Sequence, residues 1–347
     1  MSLGPLMISL RGTTVDPDEH GWLKSPAIAG VILFSRNYES PEQLEELIRE
    51  IRSVRSPPLL VTVDQEGGRV QRFGAPFQRL PPMRSLGYLY DTDPSAALRA
   101  AEQLAWLMAA ELRVCGVDMS FAPVVDIDRG LASVIGDRAL HHSGEVVASL
   151  AAAFLVGAKS AGMHVCAKHF PTHAGAVVDS HEALATDKRK YEELIDDLVP
   201  YRHLISRGLR AVMMAHVVFP DLDSQPASFS SWWINTQLRE ALQFSGVVIS
   251  DDISMGGAVG LGTPAERAIA AIDAGCDLVL LCNDPDAVPG VIEALENRSH
   301  PASQHRLSRL RGEACPDREK LRSLSSWQDA LATIDQLNAA PNIELRG

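Results

Sequence analysis

The sequence predicts an α/β protein, a (β/α)8 TIM-type barrel with a helical C-terminal extension, and three observations carry that expectation. Eight short runs rich in Val, Ile, Leu and Met recur between residues 6 and 281, separated by longer amphipathic stretches. The runs lack the polar alternation of a half-exposed sheet, as suits parallel strands covered on both faces. Glycines close several of the amphipathic stretches just ahead of a run, where an α-to-β turn calls for a left-handed residue. A doubly wound sheet shares this alternation; the count of eight favours the barrel.

Taken in order, the expected strands are residues 6–10, 30–34, 59–63, 117–121, 163–167, 211–215, 247–250 and 278–281. Between the second and third, Ser40-Pro41-Glu42-Gln43 reads as a serine N-cap, a proline at the first helical position and a glutamine completing a capping box. Leu44, Leu47, Ile48 and Ile51 then follow at helical spacing. Thr263-Pro264-Ala265-Glu266 repeats that start before the last strand, and Gly116, Gly162, Gly208 and Gly275 mark helix ends. Residues 286–297 read as the last barrel helix, and 301 to about 340 are charged and Leu-spaced without a strand candidate. The expected division is therefore a barrel over 1–300 and an extension over 301–347.

Acidic side chains outnumber basic ones, for a formal charge of −12. A surface that neutralises phosphates needs concentrated Lys and Arg, so nucleic acid is excluded as an expected partner. No apolar run approaches the roughly 18 residues that span a bilayer, and no leader pattern opens the chain, so a soluble cytoplasmic protein is expected, with no membrane partner. The five cysteines, Cys115, Cys166, Cys276, Cys282 and Cys315, form no CxxC pair and read as buried thiols of a reducing compartment.

In such a barrel the chemistry sits beyond the C-terminal ends of the strands. Those positions hold Arg36 and Asn37, Asp64, Asp126 and Asp128, Lys168 and His169, His216, Asp251 and Asp252, and Asn283. A histidine-rich stretch, His164, His169, His173 and His181, raises the question of a metal. It fits neither a helical HExxH nor a Cys-His zinc pattern, and Pro171 interrupts any helix that would align two of them. His164, inside an apolar run, reads as a core residue. No cofactor is expected, although metal-assisted hydrolysis stays open. Asp179-Ser180-His181 suits acid/base work better, because a carboxylate on one ring nitrogen fixes the tautomer and raises the basicity of the other. Asp251 at a strand end offers an ionised carboxylate on a rigid element, a candidate nucleophile; a helix N-cap is the plainer alternative.

Five segments, LLVTVDQEGGRVQRF (59–73), VIGDRAL (134–140), KHFPTHAGAVVDSH (168–181), VMMAHVVFP (212–220) and VVISDDISMGGA (247–258), resemble in order and spacing the family 3 glycoside hydrolases. The similarity is to the short bacterial β-N-acetylglucosaminidases that recycle cell wall. It implies a retaining hydrolase with Asp251 as nucleophile, His181 as general acid/base and Asp179 as its partner. It also implies substrate binding by Asp64, Arg72, Arg138, Lys168 and His169, with His216 a weaker candidate. The implied substrate is a muropeptide carrying terminal N-acetylglucosamine, with roles in cell-wall biogenesis, cell shape and division. The family usually reads KHFPGHG, whereas Thr172 and Ala174 stand in place of two glycines here. If those glycines adopt positive φ, the loop is expected to take a different path. A sugar phosphorylase and a non-catalytic sugar-binding barrel are the alternatives.

Overall fold

The computed structural model describes residues 3–176, 184–314 and 317–339. Every expected run becomes a strand: β1 (Leu6–Ser9), β2 (Ile28–Leu33), β3 (Leu60–Val63), β4 (Met119–Ser120), β5 (His164–Phe170), β6 (Ala211–Met214), β7 (Val247–Asp252) and β8 (Leu278–Leu281). Neighbours in sequence pair in parallel and β1 pairs with β8, which closes the barrel. The strand bounds differ from expectation where they matter most. β5 runs on through Lys168 and His169, and β7 through Asp251 and Asp252, so these four residues lie within strands rather than after them.

Side chains along each strand alternate between two apolar clusters, as the two-residue period of a pleated strand requires. Val61, Val63, Val212 and Val248 face outward and pack with helix residues such as Leu44 and Leu104. Leu60, Cys166, Ala211, Val247 and Ile249 face inward and fill the barrel. Leu3, Leu307 and Leu310 join that inner cluster and close the barrel at the end where the strands begin.

The helix signals act as their chemistry dictates. Ser40 Oγ accepts the Gln43 amide N–H at 3.1 Å at the start of helix Pro41–Ser53. The Gln43 carbonyl oxygen, however, takes the Glu39 N–H at 2.9 Å, so only half of the expected box forms. Thr263 and Glu266 form the complete box ahead of helix Pro264–Ala274. Gly116, Gly162, Gly208 and Gly275 all have positive φ, between 79° and 118°. After the last strand come helices Val288–Leu295, Pro301–Ser308, Arg318–Arg322 and Ser325–Ala339; the last buries Trp327, Ile334 and Leu337 against helix Pro94–Cys115.

Three elements had no clear signal in the sequence: helix Arg84–Thr92, the hairpin of Gln65–Gly67 with Val70–Gln71, and a ten-residue π-helix, Trp232–Ala241. His164 is half-buried at the start of β5, not a core residue as expected, because the strand opens on the barrel's outer end there. Cys115, Cys166, Cys276 and Cys282 are buried free thiols, and burial pushes Cys115 and Cys166 up to about 12. Cys315 lies outside the described residues. Among the described residues no helix is long and apolar enough to cross a membrane.

Candidate active site

The alternation that fills the barrel also selects what reaches its mouth. Continuing the inward register of Leu60 and Thr62 gives Asp64; that of Cys166 gives Lys168; that of Val247 and Ile249 gives Asp251. These three residues border one cavity of about 420 Å³ at the C-terminal ends of the strands, together with Arg72, Arg138 and His169. Its size falls within the roughly 300–1,000 Å³ of small-molecule sites.

Lys168 organises one wall. Its ammonium, on a residue 3% exposed, lies 2.8 Å from Asp64 Oδ1 and 2.6 Å from Glu66 Oε1. Arg138 meets Glu66 through two parallel bonds, Nε to Oε2 at 2.8 Å and Nη2 to Oε1 at 2.9 Å, and also donates to the Val134 carbonyl at 2.9 Å. Burial alone would raise the Glu66 carboxyl, but the Lys168 and Arg138 cations outweigh it and hold Glu66 well below the usual range. Both charges thus persist in a site where one alone would be costly. Arg72 stands nearer the opening, its guanidinium 5.2 Å from the Phe34 ring and its Nη2 3.6 Å from Asp64 Oδ2.

His169 forms the next wall and is fixed by a buried carboxylate, Asp126. Oδ2 of Asp126 takes the His169 Nδ1–H at 2.8 Å and its backbone N–H at 3.2 Å, while Oδ1 takes the His173 N–H at 2.6 Å. An anion on Nδ1 leaves Nε2 as the ring atom available to a ligand. Burial would raise Asp126, yet His169 and His173 draw it below the ordinary value. His173, 2% exposed and edge-on to His169 with ring centroids 5.0 Å apart, is pushed down to about 4 by burial and the neighbouring imidazole.

Asp251 and Asp252 divide as adjacent strand residues must. Asp252 borders the cavity, but its carboxylate is held by the Ser254 N–H (2.9 Å) and hydroxyl (2.6 Å), the Cys282 N–H (3.0 Å) and Asn283 Nδ2 (2.9 Å). It is a structural acceptor. Asp251 is half-buried at the cavity edge, with Oδ1 taking the Asp252 N–H at 2.8 Å. His216, expected as a weaker ligand-binding candidate, does not line the cavity. It is fully buried, donates or accepts through Nε2 at 3.1 Å from the Asp252 carbonyl oxygen, and stacks on Phe229, so packing beneath β7 withdraws it from ligand. Burial lowers its basicity, and the Asp251 charge opposes that.

The concern over Thr172 and Ala174 resolves differently from expectation. Neither residue has positive φ. Thr172 is 1% exposed; its hydroxyl donates to Asp197 Oδ1 at 2.8 Å and accepts the Ala174 N–H at 2.9 Å. Asp179 and His181 lie outside the described residues.

Glu66 and Asp126 are the functional-site residues to which the sequence assigned no role. Asp126 carried a signal as a strand-end carboxylate; Glu66 carried only its place two residues after Asp64, with the hairpin that turns it inward unforeseen. Among the described residues no group of three or more His, Cys, Asp or Glu side chains could hold a metal ion.

Comparison with known proteins gives a consistent result. The profile of the glycosyl hydrolase family 3 N-terminal domain matches residues 6–310. A β-hexosaminidase of Thioalkalivibrio sulfidiphilus is 47% identical over 345 residues, covering 99% of each chain. One from Methylococcus capsulatus is 47% identical over 334 residues, covering 96% of this chain and 99% of that one. Among solved structures, NagZ from Neisseria gonorrhoeae in complex with N-trifluoroacetyl-D-glucosamine superposes with a TM-score of 0.92 at 40% identity, covering 97% of this chain and 98% of that one. A family 3 β-N-acetylglucosaminidase from Paenibacillus superposes with a TM-score of 0.86 at 30% identity, covering 96% of this chain and 66% of that one.

Proposed function

Because the chain belongs to glycosyl hydrolase family 3 and is a glycosidase, we propose that it is a retaining β-N-acetylhexosaminidase with Asp251 as its nucleophile. The observation that carries this reading is the placement of Asp251 on the inward register of β7, at the edge of a cavity lined by paired charges. A terminal sugar presents hydroxyls that need donors and acceptors held without freedom to reorient. Asp64 and Lys168 offer both on one side and His169 Nε2 on the other; Arg72 and Arg138 fix the carboxylates around them.

In this reading the Asp251 carboxylate attacks the anomeric carbon as the glycosidic C–O bond breaks, through an oxocarbenium-like transition state. His181, paired with Asp179, gives its proton to the departing oxygen. Water then attacks the glycosyl-aspartate ester, His181 takes the water's proton, and Asp251 leaves as carboxylate. The substrate is terminal β-linked N-acetylglucosamine on cell-wall fragments, N-acetylglucosaminyl-1,6-anhydro-N-acetylmuramic acid and its peptides. The site of action is the cytoplasm, in cell-wall recycling linked to cell shape, the cell cycle and division.

Asp251→Ala tests the reading. It should cut kcat/KM for an aryl β-N-acetylglucosaminide on the order of 10³-fold or more while the melting temperature stays within a few degrees. Turnover within tenfold of the parent would remove Asp251 as nucleophile. Adding phosphate to the same assay separates hydrolysis from phosphorolysis: hydrolysis yields free sugar, phosphorolysis a sugar 1-phosphate.

A further inference from the structure

The residues flanking the 177–183 segment are tied together more firmly than a surface loop requires. On the leading side, Thr172 donates to Asp197 Oδ1 at 2.8 Å, and Asp126 holds the His173 N–H at 2.6 Å. On the trailing side, Arg189 forks onto Asp187, with Nε and Nη2 at 3.0 and 2.7 Å from Oδ2, and sends Nη1 to Asp197 Oδ2 at 2.8 Å. Asp187 also donates its N–H to the Val218 carbonyl at 2.9 Å, continuing the pairing of Ala185–Thr186 with Val217 and Val218. Asp197, 1% exposed, is therefore the point where both sides meet.

Gly175 seals the junction. A Cβ there would lie 2.2 Å from Asp187 Oδ2 and 2.7 Å from Arg189 Nε, so only glycine lets the leading backbone rest on the trailing ion pair. Arg129, reaching from the segment after β4, adds a bond to Asp197 Oδ2 at 2.8 Å. The three charges and the hydroxyl are mutually satisfied in a dry setting, where such a network holds its geometry and a missing member is costly.

We propose that Thr172, through Asp197, Arg189 and Asp187, is a positioning residue that closes the base of the 176–186 loop and so sets where Asp179 and His181 stand over the substrate. Fixing the ends of a short loop removes most of the conformations its middle can adopt. Proton transfer depends on sub-ångström placement, so loosening the base acts on the step that needs His181 rather than on sugar binding. The inference rests on the acid/base role given to His181 above.

The test measures kcat/KM for a series of aryl β-N-acetylglucosaminides whose leaving groups range from 2,4-dinitrophenol to poorly acidic phenols. Thr172→Val removes the hydroxyl at nearly constant shape. It should cost roughly tenfold for the poorest leaving group, little for dinitrophenol, and leave the inhibition constant of N-acetylglucosamine unchanged. Thr172→Ser should return the parental slope. Arg189→Lys keeps the charge without the fork and should steepen the slope too, which keeps the proposal testable should Thr172→Val fold poorly. Losses equal across the series, or an unaltered slope in both variants, would overturn the positioning role. His181→Ala in the same assay separates the two readings. If it steepens the slope and Thr172→Val and Arg189→Lys do not, the positioning proposal alone fails. If His181→Ala leaves the slope unaltered, the acid/base role and the proposal fail together.

Discussion

The two ends of the barrel use the same kinds of residues to opposite effect. At the end where strands begin, Asp118 accepts the Val61 N–H at 2.9 Å, Arg52 Nη2 at 3.0 Å and the Gly312 N–H at 3.2 Å. Asp277 there accepts the Val248 N–H at 2.9 Å and one arginine on each oxygen, Arg239 and Arg306, both at 2.6 Å. Each carboxylate ties a strand start to chain that follows the barrel or flanks it, and Leu3, Leu307 and Leu310 fill the space between. At the other end, Asp64, Glu66, Asp126 and Asp251 are partnered as well, but three of the four face a cavity; only Asp126 is turned behind His169. Charge by itself therefore does not mark function in this fold. What distinguishes the mouth is charge whose remaining hydrogen-bonding capacity points into open space of ligand size.

That contrast can be broken deliberately. The largest effect after loss of Asp251 is expected at Glu66, where Glu66→Ala strands the Lys168 and Arg138 cations in a buried site. It should lower kcat/KM about 100-fold and stability by about 3–5 kcal/mol, measured by assay and urea unfolding together. A loss of activity without loss of stability would show that Glu66 touches ligand more than it supports its neighbours. At the floor, Leu307→Ala should cost about 2–4 kcal/mol of stability yet leave kcat/KM within about twofold of the parent. A matching fall in kcat/KM would mean that the two ends are coupled, contrary to the division drawn here.

The smallest effect concerns His173 and is one of pH. Its folded value, pushed down to about 4, lies below that of a free histidine near 6.5, so the unfolded chain takes up the proton first as pH falls. Stability contributed by the neutral imidazole is complete above about 6.5 and is lost progressively toward pH 4, by an amount on the order of 2 kcal/mol. His141, His164 and His216 are also lowered by burial and act in the same direction. Unfolding curves at pH 7 and pH 4.5 should therefore differ less in His173→Gln than in the parent. An equal pH dependence in the two proteins would assign the effect to the other histidines.

How far the sequence reached can be judged at particular residues. Asp251 was identifiable because a strand of apolar residues with a two-residue period leads directly to it, and Asp252 was correctly set aside by the same parity. Lys168 and His169 were recognised as a pair, although the strand continues through both. His216 misled, since a histidine after an apolar strand looks the same whether it emerges at the mouth or folds under the next strand; only the stacking on Phe229 decides. Thr172 misled in the other direction. Its hydroxyl has a partner, Asp197, that lies 25 residues away and that local spacing does not reveal.

The barrel itself, its eight strands, its capping residues and its left-handed helix ends follow from local rules: apolar period, side-chain entropy, cap chemistry and the permissive backbone of glycine. Those act over a few residues and are written in the chain order. The ion pairs of Lys168 with Asp64 and Glu66, of Arg138 with Glu66 and of Arg189 with Asp187 and Asp197 are of another kind for the most part. Lys168 and Asp64 are 104 positions apart and Arg138 and Glu66 72, and a carboxylate at such distance is chosen by barrel closure, not by its neighbours in sequence. Local physics determined which residues could stand at the mouth, and burial in the closed barrel decided which charge each of them would answer.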